Sequence, residues 1–403
     1  MTSPDFPVLA RARGITSVCS AHPLVIEAAL VEALASGQPA LIEATCNQVN
    51  HLGGYTGMTP LDFRRFVREI AERVGYNADR ILLGGDHLGP NPWKSRPAAD
   101  AMDEAAAMVR AYVQAGFTKI HLDTSMGCLG EPTALGNDVT AARAAQLAPV
   151  AEHAALDAGL APPRYVVGTE VPVPGGALEE IVGLEVTRPE AALETLRIHR
   201  EAFSALGLEA AFDRVIAIVV QPGVEFGHAN VVRYERSQAR ELSDALEHVP
   251  GLVFEAHSTD YQPAIALREA LYGLDAIAEL LAPAAGAGDH GLRESMEALL
   301  VSEPSQWQHY YHGDARELRL QRHFSYSDRI RYYWNHPLAT AAVDRLFARL
   351  DGLEIPETLI SQYLAPLYPH VLAGTVPATP RALCIAAVRR ALEPYTRATQ
   401  GAA

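Results

Sequence analysis

The stretch Ile81-Leu82-Leu83-Gly84-Gly85-Asp86-His87 is an apolar run that ends in an acid and a histidine. Four further apolar runs end in polar clusters, which begin at His121, Glu170, Gln221 and Glu255. Short apolar runs separated by amphipathic segments of helical length are typical of strands buried on both faces of a parallel sheet. If such strands curl into a barrel, their carboxyl ends meet at one mouth. The five polar endings therefore predict one shared active-site floor.

The alternation of strands and helices predicts an α/β fold of the TIM (β/α)8 type. Seven strands are evident, at residues 14–20, 39–46, 81–86, 117–123, 165–171, 215–221 and 252–257. An eighth is missing, because the chain passes from Gln262-Pro263 directly into an alanine- and leucine-rich stretch of helical composition. We expect a barrel domain over residues 1–285 and a helical C-terminal extension over residues 286–403 that packs on the barrel.

The composition and charge of the chain argue against some classes of binding partner. The 403 residues are 49% hydrophobic and 20% charged, and 33 basic against 48 acidic residues give a net charge of −15. This balance argues against a nucleic-acid or anionic-membrane surface, so a phosphate-bearing ligand would need a local basic pocket. The four cysteines are scattered, and no run of about 18 apolar residues occurs. We predict a soluble, cytoplasmic protein without nucleic-acid or membrane partners.

Several longer strings identify a family. They are Glu43-Ala44-Thr45 with Asn47-Gln48, Gly53-Gly54-Tyr55, Gly84 to Pro90, His121-Leu122-Asp123, Gly168 to Pro172, Glu255 to Tyr261, and Tyr326 to Trp334. Together they resemble the accessory, non-catalytic subunit of class II D-tagatose-1,6-bisphosphate aldolase, a family once labelled as a tagatose-6-phosphate kinase. The resemblance runs along nearly the whole chain. It implies a TIM-barrel protein of galactitol or N-acetylgalactosamine catabolism that supports a separate catalytic aldolase subunit.

The resemblance to class II aldolases also implies a divalent metal, zinc, bound by His87, His228 and His257. Three neutral imidazoles suit zinc and leave a fourth position for a sugar oxygen. The predicted catalytic acids and bases are Asp86, Asp123 and Glu170, which follow strands three, four and five. An ordinary hydrogen-bonded histidine near the surface is the alternative for each ligand, and orientation of the histidines is the alternative role for the acids.

Further residues are predicted to contact the sugar, namely Glu43, Gly53, Gly54, Gln221, Glu255, Ser258 and Asp260. A plain turn explains the glycines equally well, and Glu43 is equally a buried acid paired with an Arg or Lys. Asp260 puts a carboxylate where catalytic aldolase subunits hold the substrate phosphate. The cluster of aromatic residues and arginines over 326–334 has the composition of a protein interface, or alternatively of helix packing on the barrel.

Two functions of different classes follow. The first is the accessory subunit of class II D-tagatose-1,6-bisphosphate aldolase, which would support the activity and stability of that partner. The alternative is a metal-dependent 4-epimerase of a ketohexose or its phosphate, since this reaction needs the same metal and acid-base floor. The kinase label finds no support in a Gly-x-x-x-x-Gly-Lys-Ser/Thr loop. We also expect an oligomer.

Overall fold

The computed structural model describes residues 14–168, 184–245, 249–257, 267–283 and 291–399. The strands in these residues are β1 (Ser17–Cys19), β2 (Ala40–Thr45), β3 (Ile81–Leu88), β4 (Lys119–Leu122), β5 (Arg164–Val167), β6 (Val215–Val220), β7 (Glu225–Phe226), β8 (Val231–Val232) and β9 (Val253–Ala256). The helices are α1 (Pro23–Ser36), α2 (Pro60–Val74), α3 (Ala98–Gln114), α4 (Asn137–Asp157), α5 (Pro189–Ser204), α6 (Glu209–Phe212), α7 (Arg240–Ala245), α8 (Leu267–Leu281), α9 (Leu292–Ser302), α10 (Ala315–Phe324), α11 (Pro337–Arg349), α12 (Glu357–Tyr363), α13 (Tyr368–Leu372) and α14 (Pro380–Thr399).

Seven strands form one parallel sheet in the order β1-β2-β3-β4-β5-β6-β9. Each overlaps a strand predicted from the sequence. The short antiparallel hairpin β7-β8, between β6 and β9, was not predicted. Among the described residues, β1 pairs only with β2 and β9 pairs only with β6, so these two strands are the edges of the sheet.

The sheet is strongly curled. Strands β2 and β9 lie five positions apart, a separation of about 24 Å in a flat sheet. Yet the carboxylates of Glu43 on β2 and Glu255 on β9 both lie 2.7 Å from the ammonium group of Lys119 on β4. One lysine can reach both acids only if the sheet closes around it.

Side chains alternate between the two faces of the curled sheet. On the concave face, Leu41, Leu82, Val166 and Ile216 form an apolar floor, and the adjacent residues pack outward against α1 to α5. Alternation continues along the strands, so Glu43 follows Leu41 and Glu255 follows Val253 on the same face. The concave face is thus apolar at its base and charged toward the carboxyl ends.

Helix α2 begins and ends where the sequence signals indicate. Thr59 caps α2 and forms a capping box with Asp62, Pro60 occupies the first turn, and Gly75 ends the helix with a φ of 73°. A second apolar core joins α8 to α9, α11, α12 and α14. The division of the chain at residue 285 stays a prediction. None of the described helices has the length and apolar composition that crossing a bilayer requires.

Candidate metal and substrate site

The end of β3 is shaped by two glycines. A Cβ on Gly84 would overlap the carboxylate of Glu43, and one on Gly85 would meet Leu88 and Tyr112. The register with β4 shifts between Gly85 and Leu88, and His87 adopts a left-handed φ of 50°. Such a bulge turns side chains out of the regular alternation. It therefore sends both Asp86 and His87 toward the mouth of the curled sheet.

Four side chains meet at this mouth. Asp86, His87, His121 and His257 each offer a ligand atom, and these atoms all lie within 4.8 Å of one another. The ring centre of His87 lies 4.9 Å from that of His121 and 4.7 Å from that of His257. The residues come from β3, β4 and the end of β9, so the curl of the sheet brings them together.

Each histidine is held by a partner. The Nδ1 of His87 lies 2.7 Å from Asp123 Oδ2, and the Nε2 of His257 lies 3.0 Å from Glu255 Oε1. The Nε2 of His121 lies 3.0 Å from the carbonyl oxygen of Gly168. Carboxylates and carbonyls that fix the rings in this way are the usual surroundings of metal-binding histidines.

The nitrogen atoms of the three rings surround the Asp86 carboxylate. The shortest distance, 3.0 Å, joins His121 Nδ1 to Asp86 Oδ1. His121 Nε2 donates to a carbonyl, and the backbone N–H of His87 donates to His121 Nδ1 at 3.2 Å. This leaves Nδ1 as an acceptor facing a carboxylate oxygen. Imidazole nitrogens gathered within 4.8 Å of one another and of a carboxylate are the groups that surround divalent metals in proteins, so the donor set fits a metal ion.

Buried charges next to the group also favour a cation. Burial raises the pKa of Asp86, but His87 and His257 outweigh it and hold the pKa well below its usual value. Lys119 and His257 likewise overcome burial and lower the pKa of Glu255 to about 2. Asp123 is shifted in the same direction by His87. When the histidines are neutral, as metal binding requires, three carboxylates stand against one ammonium group, and this excess of negative charge attracts a cation.

Lys119 lies inside the curl of the sheet and is only 2% exposed. Burial alone lowers its pKa, but Glu255 and Glu43 raise it well above the ordinary value, so the ammonium charge is retained. Burial, together with Glu255 and Asp86, raises the pKa of Glu43, which Lys119 opposes. Ser17 donates a hydrogen bond to Glu43. The prediction that Glu43 is a buried acid paired with a basic residue describes this arrangement.

A cavity of about 1060 Å³ opens above the group. Asp86, His87, Glu255 and His257 line its base, and Tyr326 to Asn335 of the C-terminal extension contribute several residues to another wall. The cavity is large enough for a sugar phosphate.

The predicted site residues do not all lie at the mouth of the sheet. Asp86, Asp123, Glu255, His87 and His257 lie together as described above. His228 is outside the group of four, since its Nδ1 bonds Ser327 Oγ at 3.0 Å and its ring lies 5.3 Å from that of Tyr311. Residues Glu170, Ser258 and Asp260 lie outside the described residues.

The remaining predicted sugar contacts shape turns. Gln221 Oε1 accepts hydrogen bonds from the backbone of Gly223 and Val224, both at 2.9 Å. A Cβ on Gly54 would overlap the carbonyl group of Gln48, and Gly53 has a φ of 106°. Within the described part of the chain, none of Gly53, Gly54 and Gln221 lines the cavity.

Sequence reasoning missed His121 and Lys119. Both lie on β4, at alternating positions with Asp123, and all three point to the interior of the curl. A period of two in Lys119-x-His121-x-Asp123 was the available signal, since polar side chains rarely occupy a strand buried on both faces without a role.

Nearly the whole chain matches one known protein family. Residues 9–266 and 263–400 match a family described as D-tagatose-1,6-bisphosphate aldolase subunit GatZ/KbaZ-like. The chain belongs to this family. The resemblance drawn from the motifs is therefore confirmed. The match comes in two segments that overlap at residues 263–266.

Two relatives of this GatZ/KbaZ-like chain cover almost its full length. A D-tagatose 6-phosphate 4-epimerase of Agrobacterium fabrum is 55% identical over 407 residues, which are 96% of this chain and 95% of the relative. A crystal structure described as a probable tagatose 6 phosphate kinase from Sinorhizobium meliloti 1021 has a TM-score of 0.87 and 56% identity. It covers 96% of this chain and 100% of that one. Since 96% of this chain is fewer than 407 residues, the epimerase carries residues that this chain lacks.

Proposed function

We propose that this protein is a metal-dependent 4-epimerase of a phosphorylated ketohexose. The observation that carries the proposal is the group of Asp86, His87, His121 and His257 at the base of a sugar-sized cavity. An accessory subunit needs an interface but has no use for such a group. The name of the Agrobacterium relative supports the same reaction. Of the two functions expected from the sequence, the epimerase is therefore preferred.

The three histidines would hold the metal, which we propose to be zinc because three imidazoles suit that ion. When bound, a divalent metal polarises the ketose carbonyl as a Lewis acid. His228 is left out of the ligand set, and His121 replaces it. Asp123 and Glu255 fix the rings of His87 and His257 and so keep the ligand geometry.

Asp86 is the proposed base. Its carboxyl is held ionised, and its Oδ2 lies on the side of Cys19, a residue that also lines the cavity. Asp86 takes the proton of the C4 hydroxyl, the C3–C4 bond breaks, and its electron pair passes to C3 and the carbonyl oxygen at C2. The C4 aldehyde then turns and presents its other face. The bond forms again, and Asp86 returns the proton to the C4 oxygen, so the reaction is balanced without an oxidant.

We also propose that the curled sheet is a TIM-type barrel that lacks one strand. The strand order supports this, because the described residues form seven parallel strands with β1 and β9 at the two edges. Catalysis on such a scaffold would use the carboxyl ends of the strands, which is where the four residues lie.

The test is conversion of D-tagatose 6-phosphate to its C4 epimer, D-fructose 6-phosphate, by the purified, metal-loaded protein alone. Asp86→Asn should lower kcat by about 10² to 10⁴. Metal content is measured alongside. Replacing a catalytic base should leave the metal bound, whereas replacing a metal ligand should release it. Absence of conversion by the wild type would contradict the proposal.

The accessory-subunit function remains the second candidate, and the family description favours it. The same preparation is therefore mixed with a catalytic tagatose-bisphosphate aldolase subunit. If the protein has no activity alone but raises the activity or thermal stability of the aldolase, the supporting role replaces the epimerase.

A further inference from the structure

One wall of the cavity presents an arginine and several aromatic side chains, although the chain carries a net charge of −15. It is formed by the segment Tyr326 to Trp334 of the C-terminal extension. Within this segment, Tyr326, Asp328, Arg331, Tyr332 and Trp334 line the cavity. The composition of this segment fits either a protein interface or the packing of helices on the sheet. Its position on the cavity that contains Asp86 and His87 gives it a third role.

The segment is held firmly in place. Asp328 adopts a left-handed φ of 46° and forms an ion pair with Arg268. The backbone N–H of Tyr326 and the hydroxyl of Ser325 each donate to the carbonyl oxygen of His228 at 3.1 Å. His228 thus anchors the extension to the loop that follows β6. A wall fixed in this way is preorganised for a ligand.

Arginines create the positive charge around Tyr332. The guanidinium carbons of Arg329 and Arg331 lie 5.2 and 5.1 Å from the centre of its ring. Burial raises the pKa of Tyr332, but Arg331 and Arg329 outweigh it and lower the pKa. Arg331 donates to the hydroxyl oxygen of Tyr332 at 3.2 Å, which leaves the hydroxyl hydrogen for another acceptor.

A continuous series of contacts leads from the metal-binding group to this wall. Cys19 Sγ lies 3.5 Å from Asp86 Oδ2 and 3.8 Å from Gln48 Oε1. The backbone N–H of Thr56, the residue after Tyr55, donates to the carbonyl oxygen of Gln48 at 3.3 Å. The Tyr55 ring in turn packs edge-on against that of Tyr332, with 5.3 Å between centres. All these residues except Thr56 line the same cavity, so one extended ligand can contact both ends.

We propose that Arg331, with the hydroxyl groups of Tyr332 and Tyr55, binds the terminal phosphate of the sugar while the other end of the sugar lies at the metal-binding group. This rests on the proposed function for the identity of the sugar. A guanidinium matches two phosphate oxygens at once, and the tyrosine hydroxyls donate to the remaining ones. The segment supplies the local basic pocket that the acidic composition of the chain requires of any phosphate ligand.

The test compares D-tagatose 6-phosphate with unphosphorylated D-tagatose on the full-length, metal-loaded protein. Arg331→Met should lower kcat/KM for the phosphorylated sugar by about 10- to 100-fold more than for the free sugar, which is the loss expected for charge-assisted hydrogen bonds. Arg331→Lys should lie between. Arg316→Met removes an exposed arginine of the same extension and should change neither value. Equal losses for both sugars in Arg331→Met would overturn the inference.

Two further measurements keep the test decisive. If Arg331→Met fails to fold, as judged by circular dichroism, the double variant Tyr55→Phe/Tyr332→Phe replaces it, with the same selective loss expected. If the wild type converts neither sugar, the epimerase proposal fails, and inorganic phosphate is titrated calorimetrically into the chelator-treated wild type. Phosphate binding that Arg331→Met abolishes supports the anion site, whereas equal binding by both proteins, or none by either, overturns it.

Discussion

At the scale of single residues, His121 and His228 separate two descriptions of the metal site. The aldolase resemblance implies His228 as a ligand, whereas the structure gathers His121 with His87 and His257. We expect His121→Ala to lower the affinity for zinc at least 100-fold, since a direct ligand should cost no less than the residues that orient ligands. His228→Ala should leave zinc content unchanged. Elemental analysis after dialysis against buffered zinc measures both.

Circular dichroism of both variants is the control for folding, because His228 also bonds Ser327. Zinc loss in folded His228→Ala, with zinc retained in His121→Ala, would restore the set implied by resemblance.

Lys119 allows a matched test of a buried charge, because the chain has only one other lysine, the exposed Lys94. Lys119→Met leaves Glu43 and Glu255 facing each other without a counter-charge. Breaking a buried ion pair from one side typically costs about 3–5 kcal/mol of unfolding free energy. Lys94→Met should stay within about 0.5 kcal/mol of the wild type. Urea unfolding measures both free energies. A cost below about 1 kcal/mol for Lys119→Met would contradict a stabilising role for the ion pairs of Lys119 with Glu43 and Glu255.

At the scale of elements, α1 begins with a histidine whose charge should matter. The backbone N–H of Leu24 donates to His22 Nδ1 at 3.2 Å, so the cap needs a neutral ring. Burial lowers the pKa of His22 from 6.5 to about 4. Above pH 6.5 the ring is neutral in both folded and unfolded chains. As the pH falls from 6.5 toward 4, the unfolded chain binds a proton that the folded chain excludes, and stability is lost.

We therefore expect the wild type to lose about 2 kcal/mol between pH 7.5 and pH 5 beyond the loss seen in His22→Asn. Asn caps helices well and does not titrate in this range. Urea unfolding of both proteins at the two pH values gives the difference. An equal loss of unfolding free energy in the two proteins would show that His22 does not contribute to the pH dependence of stability.

Elements were the most predictable level of this structure. Seven apolar runs gave seven strands, because a strand covered on both faces has little choice of residue type. The hairpin β7-β8 escaped prediction since each of its strands has two residues, too few for a periodic pattern. His121 was not predicted as a ligand, because it lies within strand β4 and the predicted ligands lie at or after the ends of strands.

At the scale of the whole molecule, the metal-binding group connects strands that are distant in the sheet. His257 follows the edge strand β9, whereas His87 and His121 lie on β3 and β4. A bound ion would therefore stabilise the closure of the curl. Zinc at 100 times its Kd should raise the unfolding free energy by about 2.7 kcal/mol. A chelator should lower the Tm of the wild type but leave that of His257→Ala unchanged, as measured by calorimetry.

The arrangement of the mouth was less predictable than the strands. That polar endings converge follows from parallel topology, and Asp86, His87, Asp123, Glu255 and His257 do lie together. The position of His228 depends on how the extension packs, since Ser325 and Ser327 hold it. Contacts between residues about 100 positions apart leave no local pattern in a sequence. The contact between the rings of Tyr55 and Tyr332 is likewise not predictable from a local sequence pattern.

The burial of Lys119 has a consequence for handling the protein. Acylating reagents that attack side-chain amines will find Lys94 on the folded chain, while the second amine is enclosed by two carboxylates. Modification of Lys119 would therefore indicate that the curled sheet has opened. Immobilisation through lysine would attach every folded molecule at Lys94, the same point on its surface.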